Sequence, residues 1–562
     1  MFQLASSLKR SPEEIEEIAG NEYDSMAAKL EPLAVRSLFF LIAPFINKIF
    51  SHIFVNVKSL DNIRKAMLKH PVVLLPSHKS YLDFILLDIA LYICDMPLPT
   101  IAAATDFSSM KGVGEWLRKC GAFFVQRGSG NVANLMTTTI ENGENGQIVR
   151  PLLIVDEETK QDKWKYVASD YLHRVLLAEY IHQLMVNGDH RFLEFFIEGK
   201  RSRTGKGISP KRGLLNSVAE AYLLGNVDDI FICPVSICYD RFLEENLYAR
   251  ELLGTPKPKE STMKLLQSLK SLTSTNYGSV VFTFGDTISL REMSNGRINR
   301  QLHALHPAWI SAMTVGEREF LQELALHIVD MHHRLTSLPV FSLVAACFTA
   351  MAVNNSHNLT CSLSQLTERV SWMIGILTAS HRPASLSLSH SLDSTILQVL
   401  RLHSNILKID VLDASVSVCP AENEATQFGA TVVPFVQLGI YRNQTMFALF
   451  PFTAIALTLC SMRRENVTET DVETFYQRFA FLSQLLKLEF VSSETFDSKE
   501  NRNVFNRTLN LMSQMQLIFK HANSIDVKRS ADNPDTQFMA QLLVPFTYAY
   551  SVSSFSTYIS IG

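Results

Sequence analysis

Short apolar runs alternate with longer amphipathic stretches between about residues 60 and 300. The runs are rich in β-branched and aromatic residues and are bounded by proline, glycine or polar residues, which predicts buried strands. Six strands are predicted in this way, at residues 72–75, 100–104, 122–125, 192–197, 230–237 and 280–284. Because most of the intervening segments repeat their apolar positions at helical spacing, we expect an α/β fold with a mixed sheet flanked by helices.

The chain outside this region is predicted to be mainly helical. Ser11, Pro12 and Glu14 have the spacing of a capping box with proline at the first helical position. An apolar helix is predicted over residues 33–55, either as a core helix or as an interfacial membrane anchor. Long apolar runs after residue 335 predict buried helices. The predicted organisation is an N-terminal helical segment (1–60), an α/β domain (61–335) and a mainly α C-terminal domain (336–562).

The composition limits the classes of function. The 562 residues are 47% hydrophobic and 19% charged, as in a globular chain of two or three domains. A net charge of -3 argues against a general nucleic-acid partner, which would need a basic excess. The eight cysteines are scattered without zinc spacing or a disulfide framework. We therefore predict no metal site and a reducing compartment.

A histidine and a carboxylate follow the first predicted strand. His78 lies in a polar turn, and helical spacing resumes from Ser80 and includes Asp83. Five positions along one helix turn through about 500°, so the two side chains can meet only if His78 precedes the helix and Asp83 lies in its first turn. The carboxylate would then orient one ring nitrogen and leave the other as a general base. The alternative is a purely structural hydrogen bond.

A basic segment follows the fourth predicted strand. It contains three glycines and no acidic residue, so its backbone amides and cationic side chains suit an oxyanion such as a phosphate. The alternative is a solvated basic loop. The basic residues of this segment are Lys200, Arg201, Arg203, Lys206, Lys211 and Arg212.

Four segments resemble, in order and spacing, the sequence blocks of the glycerolipid acyltransferase family. They are residues 71–83, 121–127, 196–203 and 232–237, and the resemblance covers about residues 50 to 300. It implies His78 and Asp83 as the catalytic pair and Pro234 as a residue of the acyl channel. The residues that it implies for the phosphate and substrate wall are Arg127, Glu198, Gly199, Arg201 and Arg203.

Residues 251–262 and 284–286 are most similar to the branch of this family that acylates dihydroxyacetone phosphate. The resemblance implies transfer of a long-chain acyl group from acyl-CoA to the hydroxyl of dihydroxyacetone phosphate, for ether-lipid synthesis. Acyl-CoA is a substrate, so no cofactor is expected. The alternatives are acylation of glycerol 3-phosphate and a non-catalytic scaffold for the next ether-lipid enzyme.

The same resemblance implies where the protein works. Its expected partners are acyl-CoA, dihydroxyacetone phosphate, a membrane surface and alkyl-dihydroxyacetone phosphate synthase, with no nucleic acid. The branch is peroxisomal and membrane-associated, although this sequence finishes Ser560-Ile561-Gly562 where a Ser-Lys-Leu-like address is common. The acidic N-terminal segment argues against a secretory signal and a mitochondrial presequence. Residues 441–443 resemble a feature of the family's C-terminal region.

Overall fold

A computed structural model provides the fold. It describes residues 11–105, 112–126, 161–187, 191–256, 275–301, 313–354, 360–380, 384–385, 391–410, 412–421, 427–492 and 498–561. Arg127, one of the predicted phosphate ligands, lies outside the described residues. The other predicted site residues lie inside them.

A mixed sheet of eight strands forms the centre of the N-terminal half. Its strands are β1 His52–Val55, β2 Val72–Pro76, β3 Thr100–Ala104, β4 Ala122–Val125, β5 Phe192–Glu194, β6 Phe231–Tyr239, β7 Ser279–Phe284 and β8 Ile288–Ser289. They lie in the order β1-β7-β6-β2-β5-β3-β4, with β8 on β6. β2 pairs in parallel with β5 and β6, whereas β7 and β8 run antiparallel to β6. The predicted mixed sheet is confirmed.

Helices cover both faces of this sheet. They are α1 Pro12–Met26, α2 Pro32–Ile49, α3 Val57–Met67, α4 Asp83–Ile93, α5 Val113–Lys119, α6 Gln161–Asn187, α7 Gly213–Leu223, α8 Glu245–Leu252, α9 Leu290–Ser294 and α10 Val315–Leu335. Successive side chains of a strand point to opposite faces, so Val72 and Leu74 join one apolar core and Val73 and Leu75 the other. This is why β2 is apolar at every position. The capping box at Ser11 is present.

The helix predicted over residues 33–55 is wrong in its last part. α2 ends at Ile49, and β1 then pairs in parallel with β7. The Tyr277 amide donates to the Ile49 carbonyl, and the Ser51 amide donates to the Gly278 carbonyl. The apolar spacing could not separate helix from strand because the pairing partner lies more than 200 residues away. The strand predicted over 192–197 likewise ends at Glu194, and the following residues lead into the basic segment.

The C-terminal half is mainly helical. Its helices are α11 Val340–Asn354, α12 Leu363–Ala379, α13 Leu392–Leu402, α14 Gln427–Arg464, α15 Val472–Leu485, α16 Ser498–Gln514, α17 Val527–Ala531, α18 Pro534–Gln541 and α19 Val544–Ile561. Short strands join them: β9 Leu338–Pro339, β10 Thr360–Ser362, β11 Ala384–Ser385, β12 Leu407–Asp410, β13 Ser415–Val418, β14 Glu469–Asp471, β15 Phe519–His521 and β16 Ser524–Asp526. The long helix α14 packs against α11, α15, α16, α17 and α18.

One apolar core extends from the sheet into these C-terminal helices. β1 belongs to the main sheet, and the predicted boundary at residue 60 falls inside α3. The predicted boundary at residue 335 coincides with the end of α10. The division into three units stays a prediction.

Among the described residues, two helices are long and apolar enough to cross a membrane by length and composition alone. In the C-terminal one, Gly429–Arg464, 72% of the apolar window is buried, as expected of a core helix. In α2 only 28% is buried. One side of α2 is therefore buried against the rest of the protein, and apolar residues on another side stay exposed.

Residues 441–443 attach α14 to helix α8 and to the basic segment. The Tyr441 hydroxyl donates to Glu245 Oε2 at 2.7 Å, and the Asn443 amide donates to the Thr204 carbonyl at 2.8 Å. Between these contacts Gly205 has φ +74°, and a Cβ there would stand 2.2 Å from the Ile440 carbonyl oxygen. Only glycine permits this approach of the two backbones. The C-terminal half thus positions the basic segment.

Candidate active site

His78 and Asp83 form the predicted pair. His78 lies in the turn after β2, and Asp83 is the first residue of α4. The His78 Nδ1 donates to Asp83 Oδ2 at 2.9 Å, because an ionised carboxylate can only accept. The Nε2 atom has no hydrogen-bond partner in the described part of the chain, and the side chain is 20% exposed. The pair therefore offers Nε2 as a general base.

The Asp83 carboxylate is fully buried and fixed by further donors. Its Oδ2 also accepts from the backbone amides of Lys79 at 2.6 Å and Ser80 at 2.9 Å. Its Oδ1 accepts from the Tyr239 hydroxyl at 2.5 Å. These bonds replace the water that burial removes, and so they hold the carboxylate in one orientation toward His78.

The backbone amides of the catalytic turn are all occupied. None of the four backbone amides from Ser77 to Ser80 is therefore available to stabilise a tetrahedral oxyanion. The Ser77 amide donates to the Val235 carbonyl, and the His78 amide donates to Glu198 Oε1 at 3.1 Å. The other two amides bind Asp83. The turn thus uses its own backbone donors to build and support the His78–Asp83 pair.

Glu198 supports the turn by accepting the hydrogen bond from the His78 backbone amide. Burial raises its pKa to about 8, and the hydrogen bond from the His78 amide only partly opposes this rise. The neighbouring Phe196 ring stacks on the His78 ring with centroids 4.0 Å apart. Gly199 makes the turn after Glu198 with φ +65°. A role of Glu198 and Gly199 in the phosphate and substrate wall stays a prediction.

Replacing Glu198 with glutamine should change how stability depends on pH. Between pH about 4.5 and 8 the folded protein keeps a proton on Glu198 that the unfolded chain has lost, so the unfolding free energy falls as pH rises, by up to about 1.4 kcal/mol per pH unit. Glu198→Gln removes this contribution and keeps the acceptor oxygen. Denaturant unfolding at pH 5 and pH 8 should show the variant gaining about 2–4 kcal/mol over the native chain. Parallel pH profiles would contradict the assigned protonation.

Arg201 and Arg203 are engaged with buried acidic residues. The Arg201 guanidinium lies 3.2 Å from the Tyr81 ring centroid and 3.9 Å from Glu244 Oε1. Arg203 forms an ion pair with Glu251. Neither arginine is among the residues that line the cleft beside His78. Their role as phosphate ligands stays a prediction.

Pro234 is likewise remote from the cleft lining. It lies in β6 opposite Leu75 of β2, and its carbonyl accepts from the Gly285 amide at 2.9 Å. This arrangement is that of a buried central strand. A direct contact of Pro234 with the acyl group stays a prediction.

A cleft beside His78 brings together three cations, of which the sequence analysis named only Lys206. We call Lys79, Lys206 and Arg334 the cleft cations, since all three line it. Lys206 is paired with Glu489, which also lines the cleft. The side chains of Lys79 and Arg334 form no hydrogen bond or ion pair with another described residue. The composition of the basic segment predicted Lys206, whereas Arg334 comes from α10, more than 100 residues further along the chain.

Two residues that support the pair were also missed. Tyr239 lies on the same face of β6 as Val235 and Ile237, and a buried tyrosine needs a partner for its hydroxyl. That alternation was the available signal. Glu244 accepts from the Ser80 hydroxyl at 3.0 Å and the Tyr81 amide at 2.7 Å. Burial raises its pKa to about 7, and nothing local in the sequence indicates its partners.

The fold and the site together define an acyltransferase. A histidine bonded through Nδ1 to a buried carboxylate lies at the end of a central parallel strand, beside a cleft lined by both basic and acidic side chains, and the family model named Acyltransferase matches residues 54–238. A second model, Glycerol-3-phosphate acyltransferase C-terminal region, matches residues 248–557, more than half of the chain. The chain belongs to the glycerol-3-phosphate acyltransferase family, as the four sequence blocks predicted.

The curated relatives carry two names. The dihydroxyacetone phosphate acyltransferases of Homo sapiens and Oryctolagus cuniculus are each 30% identical to this chain, and each match covers 98% of this chain and 73% of the relative. A glycerol-3-phosphate acyltransferase of Xylella fastidiosa (strain M23) is 26% identical over 74% of this chain and 46% of its own length. Similarity is thus more extensive to the first group.

A solved structure shows a weaker likeness. The 1-acyl-sn-glycerophosphate acyltransferase PlsC from Thermotoga maritima is 14% identical, and the match covers 50% of this chain and 71% of that chain. The TM-score is 0.23. This value is too low to support an argument about the fold.

Proposed function

We propose that this protein transfers a long-chain acyl group from acyl-CoA to the hydroxyl of dihydroxyacetone phosphate. The observation that carries the proposal is the His78–Asp83 pair, whose Nε2 is unpaired in the described part of the chain, at a cleft lined by cations. The names of the relatives that match 98% of the chain support the acceptor. Formation of an acyl ester for ether-lipid synthesis follows from that acceptor.

In the proposed reaction His78 Nε2 removes the proton of the acceptor hydroxyl while its oxygen attacks the thioester carbonyl. Asp83 keeps Nδ1 protonated and stabilises the positive charge that the ring acquires. The tetrahedral intermediate then expels the coenzyme A thiolate, which takes the proton from the imidazolium. The substrate supplies the nucleophile, so no acyl-enzyme is formed.

We propose that the cleft cations bind the phosphate of the acceptor. A phosphate dianion is held best by charge-assisted hydrogen bonds, and Lys79 and Arg334 are not paired with another described residue. Lys206 would exchange its contact with Glu489 for the phosphate. Fixing the phosphate also fixes the hydroxyl next to His78, and such positioning can supply a large part of the rate.

The proposal is tested by the release of free coenzyme A from palmitoyl-CoA by the purified chain. Dihydroxyacetone phosphate and glycerol 3-phosphate are compared as acceptors, and we expect the larger kcat/KM with the ketone. A preference for glycerol 3-phosphate would support the proposed acyl transfer but would assign the acceptor named for the glycerol-3-phosphate acyltransferases. Absence of turnover with both acceptors, from folded protein with lipid present, would favour the scaffold alternative.

We also propose that α2 docks on a membrane surface. Phe40 is 82% exposed and Leu41 63%, and α2 packs on α4 through Phe39, whose ring stacks on Tyr92 at 4.2 Å. An apolar surface on a helix of an enzyme with a lipid product suits the bilayer interface. The double variant Phe40→Asp/Leu41→Asp should sediment less with phospholipid vesicles while coenzyme A release from a water-soluble acyl-CoA is kept. Peroxisomal residence and the partner synthase stay predictions.

A further inference from the structure

The cleft beside His78 continues into the C-terminal helices. Its walls change from polar to apolar along this path, from His78 and Lys79 to Phe447 and Phe450 of α14 and then to Phe479 of α15. We call the part lined by Phe447, Phe450, Phe479, Phe490, Val491 and Val504 the apolar arm. The polar lining residues adjoin His78, and the apolar ones belong to the C-terminal helices.

The apolar arm ends among helices that are remote from the sheet. Phe479 lies on α15 and Val504 on α16, and these helices pack against α14 and against each other. Phe479 is 1% exposed, and its ring lies 5.1 Å from that of Phe505. Phe450 contacts Phe490, with ring centroids 4.7 Å apart. Packed aromatic rings therefore line the arm on α14 and α15.

The polar contacts near the arm separate it from the cationic mouth. Lys206 pairs with Glu489, and the Lys206 ammonium lies 5.2 Å from the Phe546 ring centroid. Beyond this ion pair the lining is mainly apolar. The polar residues there include Ser492 and Asn501, and Asn501 Oδ1 has no hydrogen-bond partner in the described part of the chain. A long hydrocarbon chain whose carbonyl lies at His78 matches this order of polar and apolar walls.

We propose that the apolar arm binds the acyl chain of the donor and that Phe479 sets the length of chain that is accepted. The inference rests on the proposed acyl transfer and adds a role for the C-terminal half. It also differs from the expectation that the strand around Pro234 lines the acyl channel. Each methylene buried in the arm should raise kcat/KM by about fourfold until the chain reaches Phe479. Each further methylene that does not fit should lower it by about tenfold.

The test is the dependence of kcat/KM on donor length, measured with octanoyl-, dodecanoyl-, palmitoyl- and eicosanoyl-CoA. Phe479→Leu should shift the best donor toward longer chains, and Val504→Phe should shift it toward shorter ones. In both variants octanoyl-CoA should be used within about twofold of the native rate, because under this proposal a short chain does not extend as far as Phe479 and Val504. A general loss of stability would not move the preferred donor length in opposite directions in the two variants.

Phe481→Leu is the matched control. It lies on the same helix as Phe479 but is 70% exposed, so its replacement should leave the length profile unchanged. Native length profiles in both arm variants, with native turnover of palmitoyl-CoA, would overturn the inference. If the native chain turned over none of the donors, the proposed function would fail instead, and the two failures are therefore distinguishable.

Discussion

Replacing His78 with alanine should lower kcat for acyl transfer by about 10³–10⁴-fold. The ring is the one group beside the cleft, among the described residues, that combines a buried orienting carboxylate with a nitrogen lacking a partner. Without it the acceptor hydroxyl must lose its proton to water during the attack. KM for the phosphorylated acceptor should change little, because the cleft cations remain. Steady-state release of coenzyme A measures both quantities.

The stability of this variant provides the control. His78 is partly exposed and contacts mainly Phe196, so its removal should lower the unfolding free energy by only about 1 kcal/mol. A folded His78→Ala protein that kept more than about a tenth of native turnover would exclude His78 as the base. An unfolded variant would be replaced in the test by His78→Gln, which fills a similar space.

Replacing Asp83 with asparagine should have an effect of similar size for a different reason. The amide of asparagine presents a donor where Asp83 accepts, so the imidazole turns to the tautomer with its proton on Nε2 and the base is lost. A comparable change in a Ser-His-Asp triad lowers kcat by about 10⁴-fold. We expect a loss of about 10³–10⁴-fold here, measured as kcat for coenzyme A release.

Asp83→Asn should also lower stability, which His78→Ala should not do to the same degree. Asp83 accepts from the amides of Lys79 and Ser80 and from the Tyr239 hydroxyl, and a buried donor without an acceptor costs about 1–3 kcal/mol. Tyr239→Phe is the matched variant, because it removes one of these bonds and keeps the carboxylate. It should reduce kcat less than about tenfold. Equal losses of activity in the two variants would contradict the orienting role of the charge.

The sequence predicted the sheet because its signal is local. β2 is apolar at every position and is followed by a polar turn and a helix, so the strand, the turn with His78 and the helix start at Asp83 could all be placed. The pairing of β1 with β7 could not be predicted, because a strand at the edge of a sheet is recognised only through the distant strand that it pairs with. In α2 and β1 the apolar spacing alone did not show where the helix ends.

The same distinction holds for the site. His78 and Asp83 are five positions apart, and a turn before a helix is enough to bring them together. Arg201 shows the opposite case: a basic residue after a strand indicates an anion site by type, but its contacts with Tyr81 and Glu244 depend on which acidic residues fold against it. The occupied amides of the catalytic turn could not be foreseen either, since His78 and Ser77 bond to Glu198 and Val235.

The sequence by itself determined the fold class, the contact between His78 and Asp83 and the family, because each depends on neighbouring residues or on ordered blocks of them. Only the tertiary structure decided which cations line the cleft, how α14 holds the basic segment and where an apolar arm leads from His78. Lys79, Arg334 and Phe479 line one cleft although they are hundreds of residues apart in the sequence. Contacts of that kind arise from the packing of one half of the chain on the other, and no local pattern specifies them.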